Sequence, residues 1–288
     1  MMMNLLIIGG TGFLGRNLIK YILTHKKECN IIITGHSEYK IAFLKKNFPE
    51  IITYKINIDN LHEKDKIDGI IVLHKITHII HAAAMKYVNI CQENIVDTLN
   101  TNVIFTSNLI SICQKNRIKN LIAISTDKAN NPCNVYGMSK YMMELLIKRA
   151  DYKLFRGVNF FWSDGSVLDI WYKQYKFGLP LTYTDLKSVR YYNSIDHISK
   201  TIINGFDSRE GLILTDYVYR ISLASLLKAF TRYFNYRKTI QIEFNDYEKR
   251  IEELIIPNKR QIEIIEPNIK DIIIMIAQTY QDISSIIN

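Results

Sequence analysis

The sequence predicts an α/β fold, a doubly wound parallel sheet with a smaller C-terminal lobe. Three observations carry this reading. Through the first half of the 288 residues, short apolar runs alternate with longer amphipathic stretches, the pattern of strands and crossover helices. A glycine-rich turn follows the first apolar run. Beyond Tyr152 the alternation decays into aromatic-rich chain with a turn at Gly178-Leu179-Pro180. The length suits a principal domain over 1–155 and a lobe over 156–288, the second partly interleaved with the first.

The elements follow in order. Strands are expected at Asn4–Ile8, Asn30–Thr34, Ile52–Ile56, His78–His81 and Asn120–Ser125, each a short run rich in Ile and Leu. Helices are expected at Gly12–Thr24, Tyr39–Asn47, Lys66–Lys75, Ile95–Lys115 and Asn134–Ala150, where apolar residues recur at three- and four-residue spacing. The aromatics Phe155, Phe160, Phe161, Trp162, Trp171 and Tyr172 read as core between the lobes.

Composition is that of a globular protein, 48% hydrophobic and 23% charged. The net charge of +9 would suit nucleic acid, an acidic membrane surface or a small anion. Pairs such as Lys26-Lys27 and Lys45-Lys46 are short, however, and no basic stripe is interleaved with aromatics. Solvated helix faces are the simpler reading, which sets nucleic acid aside. The wide spacing of Cys29, Cys91, Cys113 and Cys133 suggests neither a disulfide framework nor a metal site and points to a reducing compartment. Met1 to Gly15 lacks the pattern of a signal peptide, and no apolar run reaches membrane-spanning length, so a cytoplasmic protein without a membrane partner is expected.

Gly9-Gly10-Thr11-Gly12-Phe13-Leu14-Gly15 follows a strand and opens a helix, the setting of the Rossmann-type dinucleotide fingerprint. Side-chain-free glycines let a pyrophosphate approach, and the helix N-terminus offers amides and a positive dipole end. After the second strand, Thr34-Gly35-His36-Ser37-Glu38-Tyr39-Lys40 lacks an acidic residue at the strand end. His36, Ser37 and Lys40 could receive a 2′-phosphate instead, which favours NADP with NAD still possible. Alternatively, Ser37 caps the following helix. Asn57, Ile58, His81, Ala82, Ala83, Ala84 and Asn102 complete the expected cofactor contacts, with His81 a buried, hydrogen-bonded floor residue.

Tyr136-Gly137-Met138-Ser139-Lys140 puts a phenol and an ammonium on one helix face, so that Lys140 can lower the pKa of Tyr136 while contacting the nicotinamide ribose. The pair resembles the tyrosine–lysine pair of short-chain dehydrogenases. In Ser125-Thr126-Asp127-Lys128-Ala129, Thr126 can hydrogen-bond a substrate oxygen. Asp127 and Lys128 add an acid and a base beyond what hydride transfer needs, which implies elimination. The alternative is a helix cap with a surface ion pair.

Taken together, His81-Ala82-Ala83-Ala84-Met85-Lys86-Tyr87-Val88, Thr101-Asn102, the Ser125–Ala129 segment and Asn134–Lys140 make a chain that resembles the inverting UDP-N-acetylglucosamine 4,6-dehydratases of surface-polysaccharide pathways. The likeness continues through Gly165-Ser166-Val167, Thr184-Asp185, Arg190, and Glu248-Lys249 with Glu252. Glucose-type 4,6-dehydratases carry Thr-Asp-Glu where this chain has Thr126-Asp127-Lys128. The resemblance implies that Tyr136 deprotonates the sugar O4 as hydride leaves C4, Lys128 removes the C5 proton and Asp127 protonates the departing 6-hydroxyl. Hydride then returns to C6, with inversion at C5. It further implies NADP, a UDP-N-acetylglucosamine substrate gripped by Lys86, Asn159, Ser166, Val167, Thr184, Arg190 and Glu252, and a homo-oligomer. Departures fall in the lobe: Arg156-Gly157-Val158-Asn159-Phe160 replaces Arg-Tyr-Gly-Asn-Val, Asp164 replaces a basic residue, and Asn245 replaces an arginine. A 4-keto-sugar reductase or 4-epimerase would need Tyr136 and Lys140 but not Asp127 or Lys128.

Overall fold

The computed structural model describes residues 2–25, 28–58, 63–243 and 262–287, so Met1, Lys26 and Lys27 are among the residues outside it. It divides into two compact units, Met1–Gly157 with Ser199–Leu214, and Val158–Ile198 with Thr215–Asn288.

The first unit opens with β1 (Met3–Ile8), α1 (Phe13–His25), β2 (Cys29–Gly35), α2 (Glu38–Asn47), β3 (Ile52–Lys55), α3 (Lys64–Leu73) and β4 (His78–His81). Next come α4 (Val88–Glu93), α5 (Ile95–Leu99), a π turn (Asn100–Ile104) and α6 (Phe105–Lys115). β5 (Asn120–Thr126), a 3-10 turn (Asp127–Ala129), α7 (Val135–Arg149) and β6 (Lys153–Gly157) follow. The expected doubly wound sheet is present, all parallel, and its β1 to β6 run in the order β6-β5-β4-β1-β2-β3. Strands buried on both faces must be apolar throughout, which is why Leu5 to Ile8 and Ile31 to Ile33 read as unbroken runs. Their side chains join those of the crossover helices, among them Ile67, Leu109, Met143 and Ile147, in one core.

α3, α6 and α7 end alike, with Lys75, Arg117 and Asp151 in the left-handed region at φ of 49°, 57° and 57°. The next residue in each case is apolar, and its amide returns to the helix: Ile76 to the Ile71 carbonyl, Ile118 to Cys113 and Tyr152 to Ile147. This six-to-one closure satisfies late helix carbonyls and drops the chain into β4, β5 or β6.

The helix expected over Ile95–Lys115 is interrupted. At Asn100–Ile104 it widens into a π turn, because the Asn102 side chain is engaged in bonds to neighbouring segments. The sheet also extends past the five expected strands, through β6 and through a short strand after residue 199.

The second unit begins with β7 (Asn159–Phe160), α8 (Val167–Lys176), β8 (Leu181–Tyr183), β9 (Val189–Asn193) and α9 (Ile195–Asn204), whose last turns belong to the first unit. There β10 (Leu212–Ile213) joins β6 at the sheet edge. The second unit resumes with β11 (Tyr217–Ser222), α10 (Leu223–Tyr233), β12 (Thr239–Gln241), β13 (Glu263–Ile265) and α11 (Ile269–Ile287). Its strands form a β13-β11-β9-β7 sheet and a β12-β8 pair. The aromatic series divides between the units: Phe155 is buried on β6, whereas Phe161, Trp162 and Trp171 are buried in the second unit. There Trp162 meets Tyr172, Phe230, Phe234 and Tyr280.

Candidate active site

The β1–α1 turn is built for close approach. Gly9 has φ of +85°, and a Cβ there would stand 2.6 Å from the Ala83 amide nitrogen, so the turn lies against the loop after β4. A Cβ at Gly15 would meet the backbone of Gly10 at 2.5 Å, which seats α1 directly on the turn. Gly12 would touch only the Gly9 carbonyl oxygen, so its outer side stays clear. Thr11 and Phe13 are buried beside Leu14, and no acidic residue occupies the first turn of α1. A bare, positively polarised helix end of this shape fits a dinucleotide diphosphate.

At the end of β2, His36 and Lys40 are exposed, while the Ser37 hydroxyl accepts from the Lys40 amide at 3.4 Å as the N-cap of α2. The capping alternative is thus realised for Ser37. Asn57 is exposed and Ile58 is packed against the core past the end of β3. Ala82 donates to the Ile8 carbonyl, so the Ala82-Ala83-Ala84 loop continues the register of β4.

The π turn gathers the centre of the site. The Asn102 side chain accepts from the Met85 amide at 2.9 Å and donates to the Met85 carbonyl and to the Ser139 hydroxyl on α7. One amide therefore fixes the loop after β4 against the helix carrying Tyr136. His81 is buried, its Nε2 bonded to Thr106 at 3.0 Å, and burial holds its pKa down at about 3, with the Lys140 charge adding to the shift. It is neutral at any working pH, and its Nδ1 is a buried atom without a partner.

Thr126 closes β5. Its hydroxyl donates to Asp127 Oδ1 at 2.8 Å and accepts from the Lys128 amide, capping the 3-10 turn. Lys128 Nζ lies 3.1 Å from the same Asp127 oxygen, and both side chains are largely covered, so this is no surface ion pair. Asn134 caps α7 and starts the helix so that Tyr136 comes beside Thr126. Burial pushes the Tyr136 phenol well above its ordinary range, and the Thr126 hydroxyl opposes that shift. The four-residue spacing of Tyr136 and Lys140 leads one to expect a lowering by Lys140. The structure differs because Lys140 Nζ meets Met143 Sδ at 3.0 Å. Lys140 is only 3% exposed, and burial brings it down to about 8 against the pull of Glu144. A buried ammonium on a soft thioether suits a polyhydroxyl ligand such as a ribose.

Two residues that sequence reasoning missed complete the centre. Glu144 on α7 and Arg156 on β6 form a buried pair at 2.5 Å. The signal was present for Glu144, since Tyr136, Lys140 and Glu144 stand at successive four-residue steps on one helix face.

Lys86 is exposed on the loop after β4, its Nζ 5.3 Å from the Tyr87 ring centroid. The remaining expected substrate residues lie in the second unit. Asn159 donates to the Tyr191 carbonyl at 2.9 Å, Ser166 caps α8 just before Val167, and the Thr184 carbonyl accepts from Gln241. Arg190 on β9 donates to the Val189 carbonyl at 2.9 Å. Glu252, with Asn245, Glu248 and Lys249, lies outside the described residues. Among the described residues no helix is long and apolar enough to cross a membrane.

Residues 5–273 match the family described as polysaccharide biosynthesis protein. The chain belongs to that family. A curated relative, the UDP-N-acetylglucosamine 4,6-dehydratase (inverting) of Campylobacter jejuni, is 30% identical over 220 residues, 72% of this chain and 64% of the relative. The chain thus spans slightly under two thirds of that relative's length. Among solved structures, Pen from Bacillus thuringiensis superposes with a TM-score of 0.84 at 23% identity, covering 96% of this chain and 98% of that one. The UDP-glucose 4-epimerase of Thermus thermophilus in complex with NAD gives 0.74 at 16% identity, covering 96% and 93%. Both likenesses are of fold, and they agree with the Rossmann-type sheet of this family member.

Proposed function

We propose that this chain is a nicotinamide-dependent UDP-N-acetylglucosamine 4,6-dehydratase with inversion at C5, yielding a UDP-2-acetamido-2,6-dideoxy-hexos-4-ulose for surface glycan synthesis. One observation carries the proposal. Asp127 Oδ1 takes a hydrogen bond from Thr126 and an ion-paired contact from Lys128, next to the Tyr136 phenol. An epimerase or 4-keto-sugar reductase has no use for that second acid–base pair.

In this reading Gly9, Thr11, Gly12, Phe13, Leu14 and Gly15 hold the diphosphate, and Lys140 holds the nicotinamide ribose. The nicotinamide supplies the chemistry of taking a hydride from C4 and giving it back at C6. Tyr136, steadied by Thr126, takes the O4 proton. A ketone at C4 acidifies the C5 hydrogen, which Lys128 removes as Asp127 protonates the departing 6-hydroxyl. The 3.1 Å contact between Lys128 Nζ and Asp127 Oδ1 keeps the base and the acid side by side for these two proton transfers.

NADP is the proposed cofactor over NAD, because the exposed His36 and Lys40 can meet a 2′-phosphate. Arg190, Lys86, Asn159, Ser166, Val167, Thr184 and Glu252 are proposed to grip the nucleotide sugar, Arg190 at the phosphates. A homo-oligomer is proposed, supported by the exposed apolar residues Val96 on α5 and Tyr141, Met142 and Leu145 on α7. Among the described residues Cys29, Cys91, Cys113 and Cys133 are in no disulfide, which suits a reducing cytoplasm.

The test is incubation with UDP-N-acetylglucosamine and mass spectrometry for loss of one water, with deuterium from heavy water appearing at C5. A C4 epimer of unchanged mass would establish the epimerase reading instead.

A further inference from the structure

We infer that Glu144 and Arg156 are positioning residues that grip the Thr126–Asp127–Lys128 turn at both ends, an inference that rests on the proposed role of that turn as the acid–base centre. Glu144 is fully buried. Its Oε1 accepts from the Ser125 hydroxyl at 2.7 Å and from Arg156 Nε at 2.9 Å, while Oε2 pairs with Arg156 NH2 at 2.5 Å. The other guanidinium nitrogen, NH1, donates to Asn130 Oδ1 at 2.9 Å. Ser125 is the residue before Thr126, and Asn130 is the residue after the 3-10 turn. The Asn130 amide in turn bonds the Asp127 carbonyl at 3.0 Å.

The network therefore joins β5, β6 and α7 to both flanks of a four-residue segment. A guanidinium suits this task because its planar fork serves a carboxylate and an amide oxygen at once, which a lysine ammonium cannot do in one geometry. A buried ion pair adds little net stability compared with apolar residues of similar size, whereas a turn whose carboxylate and amine must meet a sugar to within an ångström gains from being fixed. Glu144 also lies one helical turn beyond Lys140, so the anchor and the ribose-binding ammonium share α7. Arg156, Ser125 and Lys148 face Glu144, the last with Nζ at 3.5 Å on the more open side, and Lys140 feels its charge from one turn back on α7.

The experiment uses the full chain and four variants: Asn130→Ala, Arg156→Lys, Glu144→Gln, and the double variant Glu144→Met with Arg156→Met. Asn130→Ala leaves the ion pair whole and carries the turnover comparison; the double variant removes both charges of the pair together but also takes the Glu144 charge from Lys140. Hydrogen–deuterium exchange is read for peptides covering 125–134 and, as a reference, β1 and β2. The expected result is exchange at 125–134 faster by roughly tenfold with the reference unchanged. Turnover of UDP-N-acetylglucosamine should fall on the order of 10- to 100-fold, with KM moved less than about twofold. Wild-type exchange and turnover in Asn130→Ala and the double variant would overturn the inference. So would faster exchange spread across β1 and β2, which marks a merely structural role. If the wild-type chain itself removes no water from the sugar, the functional proposal fails, and the exchange data still decide the positioning.

Discussion

A β-carbon placed on Gly137 would stand 2.6 Å from the carbonyl oxygen of Lys128. The helix bearing Tyr136 and the turn bearing Asp127 touch through this missing side chain. Gly137→Ala poses a contest of magnitudes: alanine favours a helix by about 1 kcal/mol over glycine, whereas overpacking costs about 1–3 kcal/mol. The clash is with backbone, so the expectation is net destabilisation in urea unfolding together with reduced turnover. A more stable Gly137→Ala would show that the turn yields freely.

Tyr136→Phe and Lys128→Met should stop the reaction at different stages. Without Tyr136 the O4 proton has no acceptor, and the near-ultraviolet absorbance of reduced nicotinamide should not rise when sugar is added. With Met at 128, oxidation at C4 proceeds and that absorbance should rise and persist while the sugar keeps its water. Near wild-type loss of water in Lys128→Met would strip the turn of its assigned chemistry.

Turnover should fall above about pH 8, because burial brings Lys140 down to about 8 with only Glu144 pulling it back up. Glu144→Gln removes that support and should carry the alkaline limb to lower pH. The linked stability runs the other way. Between about 8 and the ordinary lysine value the unfolded chain holds a proton that the native one has lost, so stability rises with pH across that window. Alkaline limbs that coincide in the two proteins would show that the Lys140 charge does not set the limb.

His81 makes the fold acid-sensitive. Its native pKa is held at about 3 against an ordinary 6.5, so below 6.5 the unfolded chain takes up a proton that the native state refuses. Stability should drop by about 1.4 kcal/mol per pH unit from this residue as pH falls from 6.5 toward 3. Denaturation curves of wild type and His81→Gln should converge in that range.

The proposed preference for NADP is checked by titrating the chain with both dinucleotides. Lys40→Ala should weaken NADP by a few-fold and leave NAD unchanged, as expected for one exposed cation on a phosphate. Tighter NAD binding by the wild type would return His36 and Lys40 to ordinary solvated roles.

What could be read beforehand was what is contiguous. Leu5 to Ile8 and the glycines after them declare a strand, a turn and a helix within fifteen residues, and Tyr136 with Lys140 declares one helix face. The π turn at Asn100–Ile104 was hidden because its cause is tertiary, an Asn102 side chain reaching Met85 and Ser139. The ends of α3, α6 and α7 were legible from the apolar spacing alone, expected at Lys75, Lys115 and Ala150 and found at Leu73, Lys115 and Arg149, although Lys75, Arg117 and Asp151 occupy positions where glycine is the usual marker. β10 has two residues, too few to show any period. The Arg156 link to Asn130 joins segments 26 residues apart, which no local pattern reports.

The route of the chain through its two units bears on how it is made. Residues 1–157 hold every group assigned to the redox and acid–base chemistry, yet the outer edge of their sheet is covered only when Leu212–Ile213 pairs with Leu154 and Phe155. Until then a nascent chain presents β6 as a bare edge of unpaired amides and carbonyls, open to a neighbouring copy. A polypeptide stopped at Gly157 would carry all that chemistry and precipitate.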